Sequence, residues 1–308
     1  MKMRTRFSII LCVAVIFSML LAGCSKKENE DLTVLNHDFT EQQWADFYDA
    51  KMASQSGSGL STSGDATGGT SGSGSATGGN SSGSSSDKDT GSKNDSDDDE
   101  MKVIVIDPGH GGKFTGAEGN GIQEKEITLK TAKYIKEYLE EHYSNVEVYL
   151  TREKDTELAD SLKDDLEERA RIAKRHNADA LVSIHFNASD KHNRSGTYIY
   201  VSRRKHVSAE CKGLAKAIMK ELVALGTTEG GIEERKSNDM FDEDGNAYDY
   251  YAINRHCAAR NIPGIIVEQC FMDNEDDRKF IRSDSALKSL AEANAKGIAA
   301  YYELKETE

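Results

Sequence analysis

The chain has 308 residues, of which 30% are charged, and a formal net charge of −14. An acidic chain without a basic cluster is not expected to bind nucleic acid, because phosphates must be neutralised by lysine and arginine side chains. Its length allows one folded domain together with segments that build no hydrophobic core.

The first 23 residues have the pattern of an export signal. Lys2, Arg4 and Arg6 precede an apolar run that extends to Ala22. The run closes with Leu-Ala-Gly and then Cys24, which resembles the lipobox of bacterial lipoproteins, whose cysteine is lipidated and begins the mature protein. We therefore expect residues 1–23 to be a lipoprotein signal peptide. Cys24 would then tether the protein to the outer face of the cytoplasmic membrane, facing the cell wall. The alternative is an uncleaved anchor helix, although the run is short for a span of about 20 residues.

Two further segments precede the candidate domain. Residues 24–53 form the lipidated N-terminal segment, in which Trp44, Phe47 and Tyr48 would share one face of a short helix. Residues 54–100 are rich in serine and glycine and end in an acidic run. Such a composition cannot bury enough apolar surface to offset the entropy of ordering, so this segment is predicted to be a disordered linker.

Residues 101–308 carry the periodic hydrophobic patterns of a folded domain. Strands are predicted at 101–106, 146–150, 180–184, 197–201, 250–254 and 264–267. Helices are predicted at 124–141, 159–176, 208–225 and 285–304, and a hairpin at 237–249 turning at 244–245. Strands that alternate with helices predict an α/β fold, with a twisted, mainly parallel sheet flanked by helices.

Three apolar runs lead to residues that can bind metal or transfer protons. VIVIDPGHGG reaches His110, ALVSIHFN reaches His185, and GIIVEQ reaches Glu268. Ligands of open α/β sheets bind beyond the carboxyl ends of the strands, so these side chains are expected to meet at one sheet edge. The glycines around His110 would let the backbone turn tightly and a ligand approach closely.

Two imidazoles and one carboxylate form a common zinc site with an open position for water. On spacing alone the third ligand is either Glu124 or Glu126, both at the head of the first helix. Glu268 would then take a proton from a zinc-activated water and later deliver it to a leaving amine. A structural role for histidines at strand ends remains the competing interpretation.

Five motifs in order are more specific than this spacing. They are DPGHGG, GIQEKEITL, LTRE, LEERARIAKRHNADALVSIHFNAS and IIVEQCFMDN. Together they closely resemble the zinc-dependent N-acetylmuramoyl-L-alanine amidases of the amidase-3 family, over nearly all of residues 102–304. The resemblance implies one zinc ion bound by His110, Glu124 and His185, with Glu268 catalytic. It also implies hydrolysis of the amide that joins muramic acid to L-alanine in peptidoglycan.

Other residues inside these motifs are given supporting roles. Asp107 is predicted to orient a metal ligand. Arg169 and Asn187 are predicted either to orient substrate or to make ordinary structural contacts. Phe186 and Cys270 stand where the family often has smaller residues, and they are predicted to narrow the groove.

Two other functions remain open at this point. A zinc peptidase or deacetylase acting on another cell-wall bond would use the same metal set, and only the resemblance favours the amidase. A non-catalytic wall-binding lipoprotein could keep the fold, although the complete set of His110, Glu124, His185 and Glu268 argues against it. Peptidoglycan and, through the lipid, the membrane are the expected partners, and no activator protein is identified.

Overall fold

The computed structural model describes residues 100–119, 121–189 and 192–308. The predicted signal peptide, Cys24, the N-terminal segment and all but the last residue of the predicted linker lie outside the described residues. Within the described part of the chain, no helix is both long and apolar enough to cross a membrane.

Strands and helices alternate along most of the described chain. In chain order they are β1 (Lys102–Pro108), β2 (Glu118–Gly119), β3 (Ile122–Gln123), α1 (Glu124–His142), β4 (Val146–Leu150), α2 (Leu162–Arg175), β5 (Ala180–Asn187), β6 (Thr197–Val201), α3 (Lys205–Leu225), β7 (Glu229–Glu233), β8 (Lys236–Phe241), β9 (Ala247–Asp249), α4 (Ala252–Ala258), β10 (Gly264–Phe271), a 3₁₀ turn (Asp277–Phe280) and α5 (Asp284–Tyr302).

Six strands form the main sheet in the order β4-β1-β5-β10-β6-β7. The first four are parallel to one another, β6 is antiparallel to β10, and β7 is parallel to β6. The start of β6 therefore lies at the same sheet edge as the carboxyl ends of β1, β5 and β10. The predicted fold class is confirmed: the sheet is mixed but mostly parallel, and helices flank it.

Hydrophobic cores cover both faces of the sheet. One core packs against α1, α3 and α5, and it includes Ile106, Ile135, Leu214 and Leu290. The other packs against α2 and α4, and it includes Val105. Neighbouring strand residues such as Val105 and Ile106 point to opposite faces, so a central strand buried on both sides must be apolar throughout. This requirement explains the unbroken run VIVI.

Most of the predicted elements are confirmed within a few residues. The predicted strand at 250–254 is wrong, because Tyr251 is instead the N-cap of helix α4. Ile253 and Cys257 pack together in the second core, and their separation of four residues is the spacing of one helix face. A short apolar run fits either a strand or a buried helix, and here tertiary packing favours the helix. The predicted hairpin is confirmed: β8 pairs with β9 in antiparallel register.

Candidate active site

His110 lies just beyond the carboxyl end of β1, in the loop that the sequence predicts to be tight. Its φ is +63°, a left-handed conformation that non-glycine residues rarely adopt. Such a conformation costs about 1–3 kcal/mol and persists only where surrounding contacts fix it. The neighbouring glycines allow close packing here, since a Cβ added to Gly109 would lie 2.3 Å from Cε1 of His185.

His185 and Glu268 are direct neighbours on adjacent parallel strands. They are partners in the register of β5 and β10. Both lie inside their strands, which end at Asn187 and Phe271, so the predicted strand ends at 184 and 267 are three and four residues too early. Leu181 on β5 and Ile266 on β10 belong to the core under α2 and α4. The period of two places His185 and Glu268 on that same face.

Glu124 joins the two histidines. Its Oε2 lies 2.9 Å from Nε2 of His110, and its Oε1 lies 3.0 Å from Nδ1 of His185. The backbone N–H groups of Ala117 and Phe186 also donate to this carboxylate, which is 1% exposed. Glu124 is the first residue of α1, where the helix dipole favours a negative charge.

One potential ligand atom from each of His110, Glu124 and His185 lies within 4.8 Å of the others. Glu126, the alternative third ligand, is exposed on the same helical turn. The structure therefore brings together the set that contains Glu124 and leaves Glu126 outside it.

The electrostatics of the two buried glutamates differ. Burial raises the pKa of Glu124, but the charges of the nearby His110 and His185 and their hydrogen bonds outweigh it, so that its pKa is lowered overall. Burial raises the pKa of Glu268 to about 8, against a weaker lowering by His185. One glutamate is therefore held ionised, and the other can exchange a proton near neutral pH.

The site fits a zinc ion by the chemistry and packing of its residues. Two imidazole nitrogens and a carboxylate converge, which is a frequent set for catalytic zinc. The surroundings are closely fitted, since a Cβ on Gly116 would lie 2.5 Å from Oε2 of Glu124. Oε2 of Glu268 is buried and has no hydrogen-bond partner among the described residues. An unsatisfied buried carboxylate oxygen beside three convergent ligands indicates a site built to receive further groups.

Arg169 donates hydrogen bonds to the backbone of the His110 loop. Its guanidinium donates to the carbonyl of Pro108 at 2.9 Å and to the carbonyl of His110 at 2.7 Å. The carboxylates of Asp107 and Asp165 pair with it at 2.9 Å and 2.7 Å. Arg169 is 2% exposed, so its contacts are those of a buried structural residue and not of a substrate ligand.

The supporting residues predicted from the motifs have mainly internal partners. Asp107 accepts hydrogen bonds from Thr151, Ser183 and Arg169, and Arg169 in turn donates to the carbonyl of His110. That Asp107 orients a metal ligand stays a prediction. Oδ1 of Asn187 accepts from the N–H of Ala188 at 2.9 Å, inside its own turn.

The prediction that Phe186 and Cys270 narrow the groove is wrong. Both side chains are 0% exposed and belong to the core under α1, α3 and α5. Phe186 is one residue from His185, so alternation alone places it on the opposite face of the sheet. Cys270 is two residues from Glu268 and alternation would place it on the same face, but β10 has a register shift between Glu268 and Phe271. That bulge turns Cys270 into the core, which alternation along the sequence could not reveal.

Two cationic residues of the site were not assigned from the sequence. Lys125, which follows Glu124, is 9% exposed, and its Nζ donates to the carbonyl of Gly112 and pairs with Asp155. Arg152, in the motif LTRE, is 3% exposed and also donates to carbonyls of the His110 loop. A charged residue just after an alternating strand is usually solvated. Only the position of Arg152 in the motif LTRE could therefore have indicated that it is buried at the site.

An α/β domain with a convergent His-Glu-His set and a proton-exchanging glutamate at one sheet edge has the features of a metallohydrolase. A family model described as N-acetylmuramoyl-L-alanine amidase matches residues 104–300. The chain belongs to this family, the Amidase_3 family.

Similar proteins include phage and bacterial enzymes. An endolysin of Bacillus phage SPP1 is 35% identical over 208 residues, covering 66% of this chain and 67% of that protein. The amidase CwlM of Bacillus licheniformis is 31% identical over 208 residues, covering 66% and 70%.

Solved structures show the same architecture. The catalytic domain of CwlV, an N-acetylmuramoyl-L-alanine amidase from Bacillus (Paenibacillus) polymyxa, has a TM-score of 0.54 at 28% identity, covering 67% of this chain and 100% of that one. Cwp6 from Clostridium difficile has a TM-score of 0.56 at 31% identity, covering 65% of this chain but 29% of that one. The match to CwlV is thus to a complete catalytic domain.

Proposed function

We propose that the protein hydrolyses the amide bond between N-acetylmuramic acid and L-alanine in peptidoglycan, using one zinc ion. His110, Glu124 and His185 would hold the zinc, and Glu268 would transfer protons. Family membership supports the choice of bond. The observation that carries the mechanism is the pairing of Glu268 with His185 across β10 and β5, which puts a proton-exchanging carboxyl beside the three convergent ligands.

Each residue has a distinct part in this reaction. A bound zinc ion supplies Lewis acidity, which makes water easier to deprotonate and polarises a carbonyl. Glu268 accepts a proton from the attacking water while the oxygen of that water bonds to the lactyl carbonyl carbon. It then delivers this proton to the amide nitrogen while the C–N bond breaks. The second proton of the water, released when the new carboxyl group ionises, passes to the amine. The products are therefore a lactyl carboxylate on muramic acid and an L-alanine ammonium group, and the atoms and charges balance.

Burial of Glu268 suits both halves of this proton transfer. A carboxyl whose pKa is raised to about 8 holds a proton more strongly than an exposed glutamate does. General acids and bases work best when their pKa lies near the working pH. Its unpartnered Oε2 is the atom that would face the reacting groups.

The direct test is the release of new L-alanine amino groups from purified peptidoglycan, after chelation of metal and after zinc is restored. We expect release by the parent, loss on chelation and recovery with zinc. A peptidase would free amines of other residues, a deacetylase would free amino-sugar amines, and a wall-binding protein would free none. Any of these three outcomes would contradict the proposal.

We also propose that the protein is a lipoprotein anchored through Cys24 at the outer face of the cytoplasmic membrane. The support is the sequence alone: basic residues, an apolar run and Leu-Ala-Gly-Cys. The 54–100 linker would let the domain reach the wall. Replacing Cys24 by alanine should release the protein from the membrane fraction or block processing of its signal. Parental processing and membrane retention in Cys24→Ala would refute the anchor.

A further inference from the structure

Arg152 is a buried arginine whose donors are directed almost entirely at backbone oxygens. It is the second residue after the end of β4 at Leu150, and it is 3% exposed. Its Nε donates to the carbonyl of Pro108 at 3.0 Å, and its Nη1 donates to that of Lys154 at 3.1 Å. Burying a cation is costly unless its hydrogen bonds are satisfied, and these contacts provide the buried guanidinium with acceptors.

The Nη2 of Arg152 makes the contacts that matter most for the site. It donates to the carbonyl of Gly109 at 2.9 Å, the carbonyl of Lys125 at 2.8 Å and Oγ1 of Thr128 at 3.1 Å. The hydroxyl of Thr128 in turn donates to the carbonyl of Gly109 at 2.8 Å. One nitrogen thus joins the loop to the first turns of α1.

The two segments joined in this way each carry one of the proposed zinc ligands. Gly109 immediately precedes His110, and Lys125 immediately follows Glu124. The guanidinium also fills the space under the loop, since a Cβ on Gly111 would lie 2.9 Å from Cδ and Nε of Arg152. A planar fork with five donors can reach both segments at once, whereas the compact ammonium of lysine cannot.

We propose that Arg152 is a positioning residue that fixes the separation of His110 and Glu124 and thereby sets the affinity of the site for zinc. The proposal rests on the ligand set given under Proposed function. Arg169 donates to the carbonyls of His110 and Pro108, but its carboxylate partners are Asp107 and Asp165, which lie outside α1. Among the described residues, Arg152 is therefore the arginine whose guanidinium connects the His110 loop with the helix of Glu124.

The experiment measures zinc affinity of the full-length protein by competition with a chelator, alongside far-UV circular dichroism and thermal unfolding. The variants are Arg152→Lys and Thr128→Val, the second of which removes only one hydroxyl. The matched control is Arg255→Lys, because Arg255 also donates to two carbonyls, those of Asp249 and Tyr250. Loss of a residue that orients metal ligands typically weakens binding about 10- to 100-fold.

We expect Arg152→Lys to stay folded at the assay temperature and to bind zinc at least about 10-fold more weakly. Thr128→Val should shift affinity in the same direction by a smaller factor, and Arg255→Lys should keep parental affinity even if it unfolds earlier. The absorption spectrum of the cobalt-substituted protein should change in Arg152→Lys and not in Arg255→Lys.

Parental zinc affinity in a folded Arg152→Lys variant would overturn the proposal. If that variant does not fold, parental affinity in Thr128→Val would overturn it instead. Equal losses of affinity in Arg152→Lys and Arg255→Lys would also count against it, since they would indicate general destabilisation. Failure of the parent to bind zinc at all would refute the proposed metal site, which is a distinguishable result.

Discussion

Glu268 lies directly opposite His185 in the parallel register of β10 and β5. Because both side chains point to the same face of the sheet, the proton-exchanging carboxyl is held beside a proposed zinc ligand by backbone pairing and not by a flexible loop. Rigid strands position functional groups more accurately than loops do. Substitutions at this pair should therefore change chemistry without loosening the fold.

Replacing Glu268 by glutamine should abolish most of the amidase activity while zinc content stays at the parental level. Glutamine keeps the shape of the side chain but cannot accept a proton, and general acid–base catalysis contributes about 10²–10⁴-fold. The measurement is L-alanine amine release together with metal analysis. Near-parental turnover would refute the role of Glu268, and parallel loss of zinc would make it a ligand instead.

The same residue should make the metal-free protein less stable as pH rises. The pKa of Glu268 is raised to about 8 in the folded protein from an ordinary value of 4.5, so the folded state retains a proton that the unfolded state releases. Between these values the free energy of unfolding should fall with pH, by at most about 1.4 kcal/mol per pH unit from this group.

Urea unfolding of the zinc-free parent and of Glu268→Gln at pH 5 and pH 8 measures this contribution. The variant lacks the titrating carboxyl, so its stability relative to the parent should increase towards pH 8. A difference between the two proteins that is independent of pH, or one that shrinks towards pH 8, would contradict the raised pKa.

Glu124 and Glu126 are a matched pair for testing the ligand set. Glu124 is 1% exposed between two histidines, whereas Glu126 is exposed on the same turn of α1. Purified Glu124→Ala should lose zinc and activity, and Glu126→Ala should keep both. Zinc lost from Glu126→Ala and kept by Glu124→Ala would show that the wrong glutamate has been chosen.

Gly109 should tolerate no side chain. A Cβ there would lie 2.3 Å from Cε1 of His185, whereas a Cβ on Gly119 would have no heavy atom within 4 Å beyond its chain neighbours. Forced displacement in a packed site typically costs about 1–3 kcal/mol. Gly109→Ala should therefore unfold at lower temperature and lose zinc, while Gly119→Ala keeps its zinc. Full zinc occupancy in Gly109→Ala would show that the packing is not required for the site.

The sequence predicts the elements well where burial dictates composition. VIVI at 103–106 and GIIV at 264–267 are apolar throughout because both faces of their strands are covered. It locates strand ends less well, since His185 and Glu268 are polar in sequence yet still paired in the sheet. Hydrophobicity reports which side chains are buried, whereas the end of a strand is set by backbone hydrogen bonds.

The sequence likewise predicts some residues of the site and not others. Its histidines and Glu268 follow from residue type and strand order, but spacing alone leaves Glu124 and Glu126 equivalent. The choice between them depends on how α1 is rotated against the sheet, which spacing does not predict. The family resemblance indicates Glu124, and the structure places Glu124 beside the two histidines. Arg152 was missed because its role consists of contacts with backbone carbonyls, which leave no pattern in the side-chain sequence.

Mass spectrometry of purified peptidoglycan digested by the full-length protein tests the central claim most directly, because it identifies the bond that is cut. We predict intact glycan strands with free lactyl carboxylates, together with stem peptides that begin with L-alanine, and neither product from Glu268→Gln. Stem peptides cut at any other bond, deacetylated sugars, or unchanged peptidoglycan would contradict the assignment.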